Sequence, residues 1–454
     1  MTSLSERLGL GRRLESLGLG TPEARAWALY DWANSAFVTT ITAAVFPVYF
    51  SRVAAEGLTQ AQATARYGTA TTVALALVAV LAPYLGALAD FTARKKRFLG
   101  IFLGIGVAAT AGLFFVGRGD WRTGAFLFVL GNAGAWGSFV FYDALLPHVA
   151  REGEMDRLAT AGFAVGYLGG GLLLALNLAW IQKPGWFGMG DADPTLPSRL
   201  AFLSVAAWWA LFALPLFRRI PEPPRRLDPE DDPAQAAAKV AWRRLVRAFR
   251  DLRAYRHAFL FLVAFLLYND GIQTIIRFAT IYGSEIGIGR GALIGAILMV
   301  QFVGVPFAFA FGQLAERIGP KRSVLLGLSV YLVISVLGYR MQTAVHFFAL
   351  AGLVGMVQGG TQALSRSLFA SMIPAHKSGE FFGFYGVMEK FAGIFGPALF
   401  TGAVALTGSS RNAILAVGVL FVAGGSVLLA VDVEEGRRVA RSAEERATAA
   451  GGAG

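Results

Sequence analysis

The chain has 454 residues, 55% apolar and only 15% charged, with a mean hydropathy of +0.55. Soluble domains carry about 25% charged residues, so the composition excludes an ordinary cytosolic enzyme and a disordered chain. The absence of cysteine excludes a disulfide scaffold and thiolate metal sites. The 55 glycines and 36 phenylalanines suit close-packed helices in lipid. The chain reads as an all-α integral membrane protein.

Residues 1–25 contain four arginines and no apolar run, which is not the pattern of a signal peptide. Thr21-Pro22-Glu23 predicts a helix start, with a capping hydroxyl, a proline in the first turn and an early carboxylate. A spanning helix needs about 20 mostly apolar residues. Twelve stretches qualify: 26–51, 66–89, 98–117, 122–147, 158–182, 198–217, 257–282, 291–312, 323–340, 345–371, 381–406 and 412–432.

The net charge of +12 is distributed unevenly. With both termini cytoplasmic, the inner segments carry 29 of the 41 Lys and Arg, the outer segments nine when Arg66, Arg122, Arg199 and Arg340 at the outer span ends are counted with them, and the span interiors three. That is the positive-inside pattern, so the basic charge reports topology and not a nucleic-acid partner. The expected location is the inner (plasma) membrane, multi-pass, with both ends inside.

Five segments follow: a cytoplasmic stretch 1–25, a six-helix half 26–217, a linker 218–256, a second six-helix half 257–433, and a cytoplasmic tail 434–454. The linker opens as proline-punctuated chain. Further on, Trp242, Leu245, Val246, Phe249 and Leu252 fall at helical spacing opposite many arginines. This predicts a helix along the membrane interface, with a solvated basic linker as the alternative.

The halves repeat. Gly86 to Lys95 ends the second span, and Gly312 to Arg322 ends the eighth, with glycine, acid and basic cluster in register 226 residues apart. Leu146-Pro147 and Ile373-Pro374 recur at nearly the same separation. Two equivalent six-helix halves are the pattern of transporters built from repeats, with the substrate site near mid-membrane between them; one chain supplies both halves, so a monomer suffices.

On these residues the chain resembles the major facilitator superfamily, whose signature between the second and third spans matches Gly86 to Lys95. Phe91 departs from it where a basic residue is usual, and Ala93 where a glycine is. Three further segments, Trp27 to Phe37, Tyr268 to Thr274, and Gly359 to Phe369 with Glu380 to Tyr385, resemble the bacterial branch of the autophagy-related vacuole-effluxer-like family. The resemblance implies twelve helices in two pseudo-symmetric halves and a secondary transporter. Amino-acid efflux is the activity ascribed to the vacuolar branch.

Ionisable residues inside lipid cost about 2.5–3.5 kcal/mol each on insertion scales, so each is a functional candidate, with a structural ion pair as the rival reading. Asp31 and Asn34 share a face of the first span, Asp270, Gln273 and Arg277 one of the seventh, and Gln362 and Arg366 one of the tenth. The resemblance implies that these spans and the fourth line a central cavity. Asp270 and Glu389, near the midplane, are the candidates for substrate contact or proton exchange. Arg277 could clamp a substrate carboxylate, or pair with Asp270 or Glu389.

Asp143 and Arg366, one turn from the cytoplasmic ends of the fourth and tenth spans, are read as a gate, with Lys390 as a second cationic partner. Asp90 can face the N-terminus of another helix. By resemblance that helix is the eleventh span, beginning near Phe381, which makes Gly86, Asp90 and Arg94, with their repeat partner Glu316, a conformational latch. Gly162, Gly166 and Gly170 recur every four residues on the fifth span and predict close helix approach. Gly396-Pro397 predicts a bend in the eleventh span.

No phosphate-binding loop and no His-Glu-x-x-His pair occurs, so no ATP drive, catalytic residue, cofactor or metal is expected. The expected function is gradient-driven or facilitative transport of a small polar solute, amino acids being the leading class, by alternating access, with protons as candidate coupling ion. The competing readings are an exporter of amphipathic or cationic drug-like compounds and a membrane sensor that binds without transport.

Overall fold

A computed structural model describes residues 11–189, 193–225, 235–250, 255–392, 395–407 and 409–451, and among them no strand occurs. The first crossing, α1, runs Pro22–Ala54. Thr21 caps it by accepting the Ala24 N–H at 3.0 Å, with proline in the first turn as the sequence predicts. From Phe37 to Ala44 it loosens into π-helix, where Thr39 Oγ1 donates to Ser35 O at 2.9 Å and reaches Gly170 O at 3.3 Å.

The rest of the first half is α2 (Gln60–Thr92), α3 (Lys95–Gly112), α4 (Trp121–Val149), α5 (Met155–Gln182) and α6 (Leu196–Arg219). After the linker helix α7 (Ala237–Arg250) come α8 (Arg256–Glu285), α9 (Arg290–Ile318), α10 (Pro320–Tyr339) and α11 (Ala344–Ser371). Then follow α12 (Ser378–Phe391), α13 (Phe395–Thr407), α14 (Ser410–Leu429) and α15 (Val433–Gly451).

Eleven helices among the described residues are long and apolar enough to cross a membrane. The remaining crossing is shared by α12 and α13. The sequence places one span at 381–406 with a bend at Gly396-Pro397; the helix ends at Phe391, with Ala392 extended, and a second helix is described from Phe395, just before that pair. With this pair counted as one, the described residues hold twelve crossings.

Small residues set the helix spacing, since lipid offers no hydrophobic drive for helix association. A Cβ on Gly134 would lie 2.5 Å from Gly106 Cα, so α3 and α4 meet backbone to backbone. The Gly162–Gly170 ladder does the same for α5 against α1. A Cβ on Gly166 would sit 2.7 Å from Ser35 Oγ, and one on Gly170 3.0 Å from Ser35 O.

The linker segment forms helix α7 (Ala237–Arg250) at the position expected. It turns Val240, Ala241 and Arg244 into the bundle, against the end of α2, and leaves Trp242 and Val246 exposed. The side chains of Leu245 and Phe249, and all of Leu252, lie outside the described residues. Arg244 is tolerated inside because its guanidinium sits 5.5 Å from the Phe91 ring centre, with Arg225 over the same ring at 4.4 Å. Phe91, the aromatic in a usually basic position, thus holds the linker.

Candidate functional site

The two halves are bonded across one face of the bundle, the face that carries the α2–α3 and α4–α5 turns and the linker. Arg366 is central to it. Five residues before the end of α11, or about 8 Å in at 1.5 Å per residue, it is 5% exposed. Its Nη1 donates to Asp143 Oδ1 at 2.9 Å, and its Nη2 to Asp31 Oδ2 at 3.3 Å and to Ala159 O at 3.2 Å. Tyr142 Oη also donates to Asp31 Oδ2, at 3.1 Å.

Aromatic rings enclose the cation. Trp27 and Phe163 each lie 4.7 Å from the guanidinium carbon and Tyr142 lies 5.5 Å away. Trp27 stacks on Tyr142 at 4.4 Å and donates its indole N–H to Tyr142 O. A C-half arginine is therefore held by α1, α4 and α5 of the N-half together. Gly162 keeps room for it: a Cβ there would stand 2.9 Å from Asp31 Oδ2 and 3.3 Å from Arg366 Nη2. Removing one partner of a buried pair costs about 3–5 kcal/mol because the other charge is left uncompensated, so loss of Arg366 would strand the Asp31 and Asp143 carboxylates without their shared cation.

Two smaller contacts flank it. Arg157 Nε pairs with Glu316 Oε1 at 2.5 Å, and Ser367 Oγ donates to Asp156 Oδ1 at 2.6 Å. Glu316 thus meets a side chain at the start of α5. Its repeat counterpart Asp90 instead meets the backbone at the start of α12, accepting Gly379 N–H at 3.1 Å and Glu380 N–H at 2.8 Å. These are orphan donors of the first helical turn, and a carboxylate also complements the helix dipole.

Gly86 makes the Asp90 contact possible. A Cβ there would land on Gly379 O and lie 2.5 Å from Gly379 C. The counter-ion of Asp90 is Lys95, at 2.7 Å and equally buried; Arg94, the basic residue placed in the latch from sequence, is exposed. The cause is the turn. Ala93 takes a left-handed conformation (φ 50°, ψ 52°), which ends α2 and starts α3 so that Lys95 lies against Asp90.

The remaining predicted positions are placed differently. Asp270 does not stand at the junction: it is fully buried in α8, where its Oδ2 accepts the Gly396 N–H at 2.8 Å and so caps α13. Thr274 lies beside it, since a Cβ on Gly396 would collide with its hydroxyl. Asp31, grouped with substrate contacts by its depth, joins Asp143 on Arg366. Asn34 is buried; Gln273, Gln362 and Glu389 are half-buried. The side chains of Arg277 and Lys390 lie outside the described residues.

Sequence reasoning did not single out Tyr142, Phe163, Arg157, Asp156, His148 or Ser378. The one available signal was the aromatic run around Asp31, where Trp27 sits one turn before it.

The profile of the family described as "Vacuole effluxer Atg22 like" matches residues 20–441. An uncharacterized MFS-type transporter of Bacillus subtilis (strain 168), YxiO, is 38% identical over 422 residues, covering 91% of this chain and 96% of that one. Autophagy-related protein 22-1 of Aspergillus niger is 27% identical over 305 residues, 63% of this chain and 48% of its own. Among solved structures, the proton:xylose symporter XylE superposes with a TM-score of 0.69 at 14% identity, covering 90% of this chain and 95% of that one. The human organic anion transporter MFSD10 reaches 0.69 at 13%, covering 90% and 99%; these two likenesses speak to fold alone. The profile match over residues 20–441 and the 38% identity to the Bacillus subtilis transporter place the chain in the vacuole effluxer Atg22-like family, as a major facilitator superfamily transporter of its bacterial branch.

Proposed function

We propose that the protein moves a small polar solute, amino acids being the first class to test, across the plasma membrane by alternating access. In this reading both termini are cytoplasmic and the bonded face is the closed inner gate. The observation that carries it is the Arg366 junction. It places a buried, double-sided ion pair between rigid halves at one end, which is a contact suited to breaking and re-forming as a unit. Further support comes from the basic bias of the segments on that face.

One cation serves two carboxylates in the junction, since among the described side chains Arg366 is what both Asp31 and Asp143 meet. That excess of negative charge suits uptake of a proton or of a solute's ammonium group when the junction parts. XylE is a proton:xylose symporter and FucP, another protein of similar fold, the fucose:proton symporter of E. coli, and the same coupling ion is proposed here. Asp270 is proposed to act in structure, because its Oδ2 accepts the Gly396 N–H at the start of α13.

The test is counterflow in proteoliposomes preloaded with pools of unlabelled amino acids. Protein-dependent accumulation of label that Arg366→Lys lowers without loss of folded protein supports the proposal. Folded protein that accumulates no labelled amino acid from any pool sinks the amino-acid assignment. A solute that crosses equally in Arg366→Lys and parent sinks the gate.

A further inference from the structure

The chain continues past its last crossing as helix α15, and this tail is built into the bonded face of the bundle. Its root is fixed. Lys321 Nζ, at the start of α10, donates to Leu429 O at 2.8 Å and to Val431 O at 2.7 Å, and His257 Nδ1 accepts the Asp432 N–H at 3.0 Å. Asp432 Oδ1 accepts the Glu435 N–H at 3.0 Å and so caps α15. In the first half Lys96, at the start of α3, closes α6 in the same way, donating to Phe217 O and Ile220 O.

From that root α15 runs to the turn between α11 and α12. Its inward stripe is small, with Gly436, Ala440 and Ala447 buried. A Cβ on Gly436 would stand 2.9 Å from Cγ and Sδ of Met372, which is fully buried just after α11. Arg437 Nε donates to Ser371 Oγ at 3.3 Å. Further along the helix, about 17 Å from Val433 at 1.5 Å per residue, Glu444 Oε1 accepts the Ala375 N–H at 2.6 Å.

Ala375 opens the single turn Ala375–Lys377, which runs directly into α12. Its N–H is one of the donors that a helical start leaves without an internal partner. Beyond it Ser378 Oγ donates to Ala144 O at 2.8 Å, and Gly379 and Glu380 give their N–H groups to Asp90. The segment 375–380 is therefore held at one end by the tail of its own half and at the other by the N-half.

We propose that Glu444 is a positioning residue of the gate: through Ala375 it holds the segment 375–380 in the form that Asp90 grips. This inference rests on the alternating-access reading. The Glu444 contact lies within the C-half, so it can persist when the halves part, and it acts on the equilibrium through order. With Glu444 in place the separated C-half presents the first turn of α12 already set. Without it the segment gains freedom on release, and that freedom is lost again on joining. Loss of the contact therefore shifts the balance toward the separated state.

The chain has no cysteine, so Arg151→Cys and Arg317→Cys, exposed positions on the two halves of the bonded face, carry spin labels without background. Dipolar spectroscopy on the full chain in bilayers reads the separated population. In Glu444→Ala its ratio to the joined population should rise about tenfold, the ordering of about one residue. Glu444→Gln, which keeps an acceptor oxygen at the same reach, should restore the parent ratio. Ala375→Pro removes the donor instead, and the extended Pro374 before it (φ −70°, ψ 135°) accommodates proline. It should match Glu444→Ala, and the two together should separate no further than either alone.

Asp90→Ala is the control that frees the other end of the segment. Parent-like distances in Glu444→Ala while Asp90→Ala separates overturn the proposal and leave alternating access standing. Equal separation in Glu444→Gln and Glu444→Ala, or additive effects in the combined variant, overturns it too. Should Glu444→Ala not fold, Ala375→Pro against the parent decides the same question. Labels that stay together in every variant sink both the proposal and the alternating-access reading.

Discussion

Gly86→Ala perturbs the latch from outside every charged group. The added Cβ would overlap Gly379 O and stand 2.5 Å from Gly379 C and 3.0 Å from Glu380 N, all backbone atoms that no rotamer change can move. Ordinary contact begins at 3.4 Å, so α2 and the start of α12 must part by about 1 Å. The Asp90 bonds at 3.1 and 2.8 Å then lengthen beyond hydrogen-bond range. Two bonds to a charged acceptor contribute about 1.5–3 kcal/mol each. At the lower figure the joined state loses about 3 kcal/mol, or about 100-fold in its ratio to the separated state. Ser367→Cys, a fully buried position between the halves, is the reporter: its maleimide labelling rate should rise by about that factor when Gly86→Ala is added. An unchanged rate in well-folded double variant would refute the claim that this glycine crossing holds the halves together.

Arg366→Lys keeps the charge but cannot span Asp143 and Asp31 at once; solute transport should fall far more than expression, read by counterflow beside detergent-soluble yield. Ala93→Gly removes a left-handed strain of about 1–2 kcal/mol, less the entropy that glycine adds to the unfolded chain, and should raise Tm; a lower Tm would contradict the strained turn. Asp270→Asn retains an oxygen for the Gly396 N–H, whereas Asp270→Ala loses the cap and should cost about 1 kcal/mol of stability; equal melting of the two would deny the capping role. Burial raises the Glu222 carboxyl above its ordinary 4.5, partly offset by the Lys96 N–H it accepts. A raised folded pKa gives stability that is present at low pH and lost as pH rises through it. Glu222→Gln should accordingly melt closer to, or above, the parent at pH 7 than at pH 4, and the opposite trend would refute the assignment.

The bundle was legible because its cause is local: apolar runs of spanning length, basic loops and a repeat at fixed separation are all visible in one dimension. The latch was legible in part. Gly86 and Asp90 lie at their motif positions, but which of four consecutive basic residues turns back on Asp90 depends on the Ala93 turn, and the cluster alone does not reveal it. The Arg366 junction was half visible. Depth matched Asp143 with Arg366, but Asp31 joins them across 335 residues, and depth grouped it with the substrate candidates instead. The Asp270 contact with Gly396 was likewise hidden from the sequence. A carboxylate at the midplane must be neutralised or hydrogen-bonded, and the sequence could not distinguish a solute from the N-terminus of a half-helix. The Gly396-Pro397 bend was the clue that such a terminus lay nearby.

The interrupted crossing has two beginnings, and they have different owners. The first, α12, is held by Asp90 of the other half; the second, α13, is held by Asp270 of its own half. In the proposed cycle the first contact is exchanged and the second is kept, which would make the crossing a lever hinged between a released arm and a fixed one. The two aspartates, alike in chemistry, should fail in opposite ways: loss of the first should yield a stable protein that idles in one state, and loss of the second a protein that rarely reaches the membrane intact.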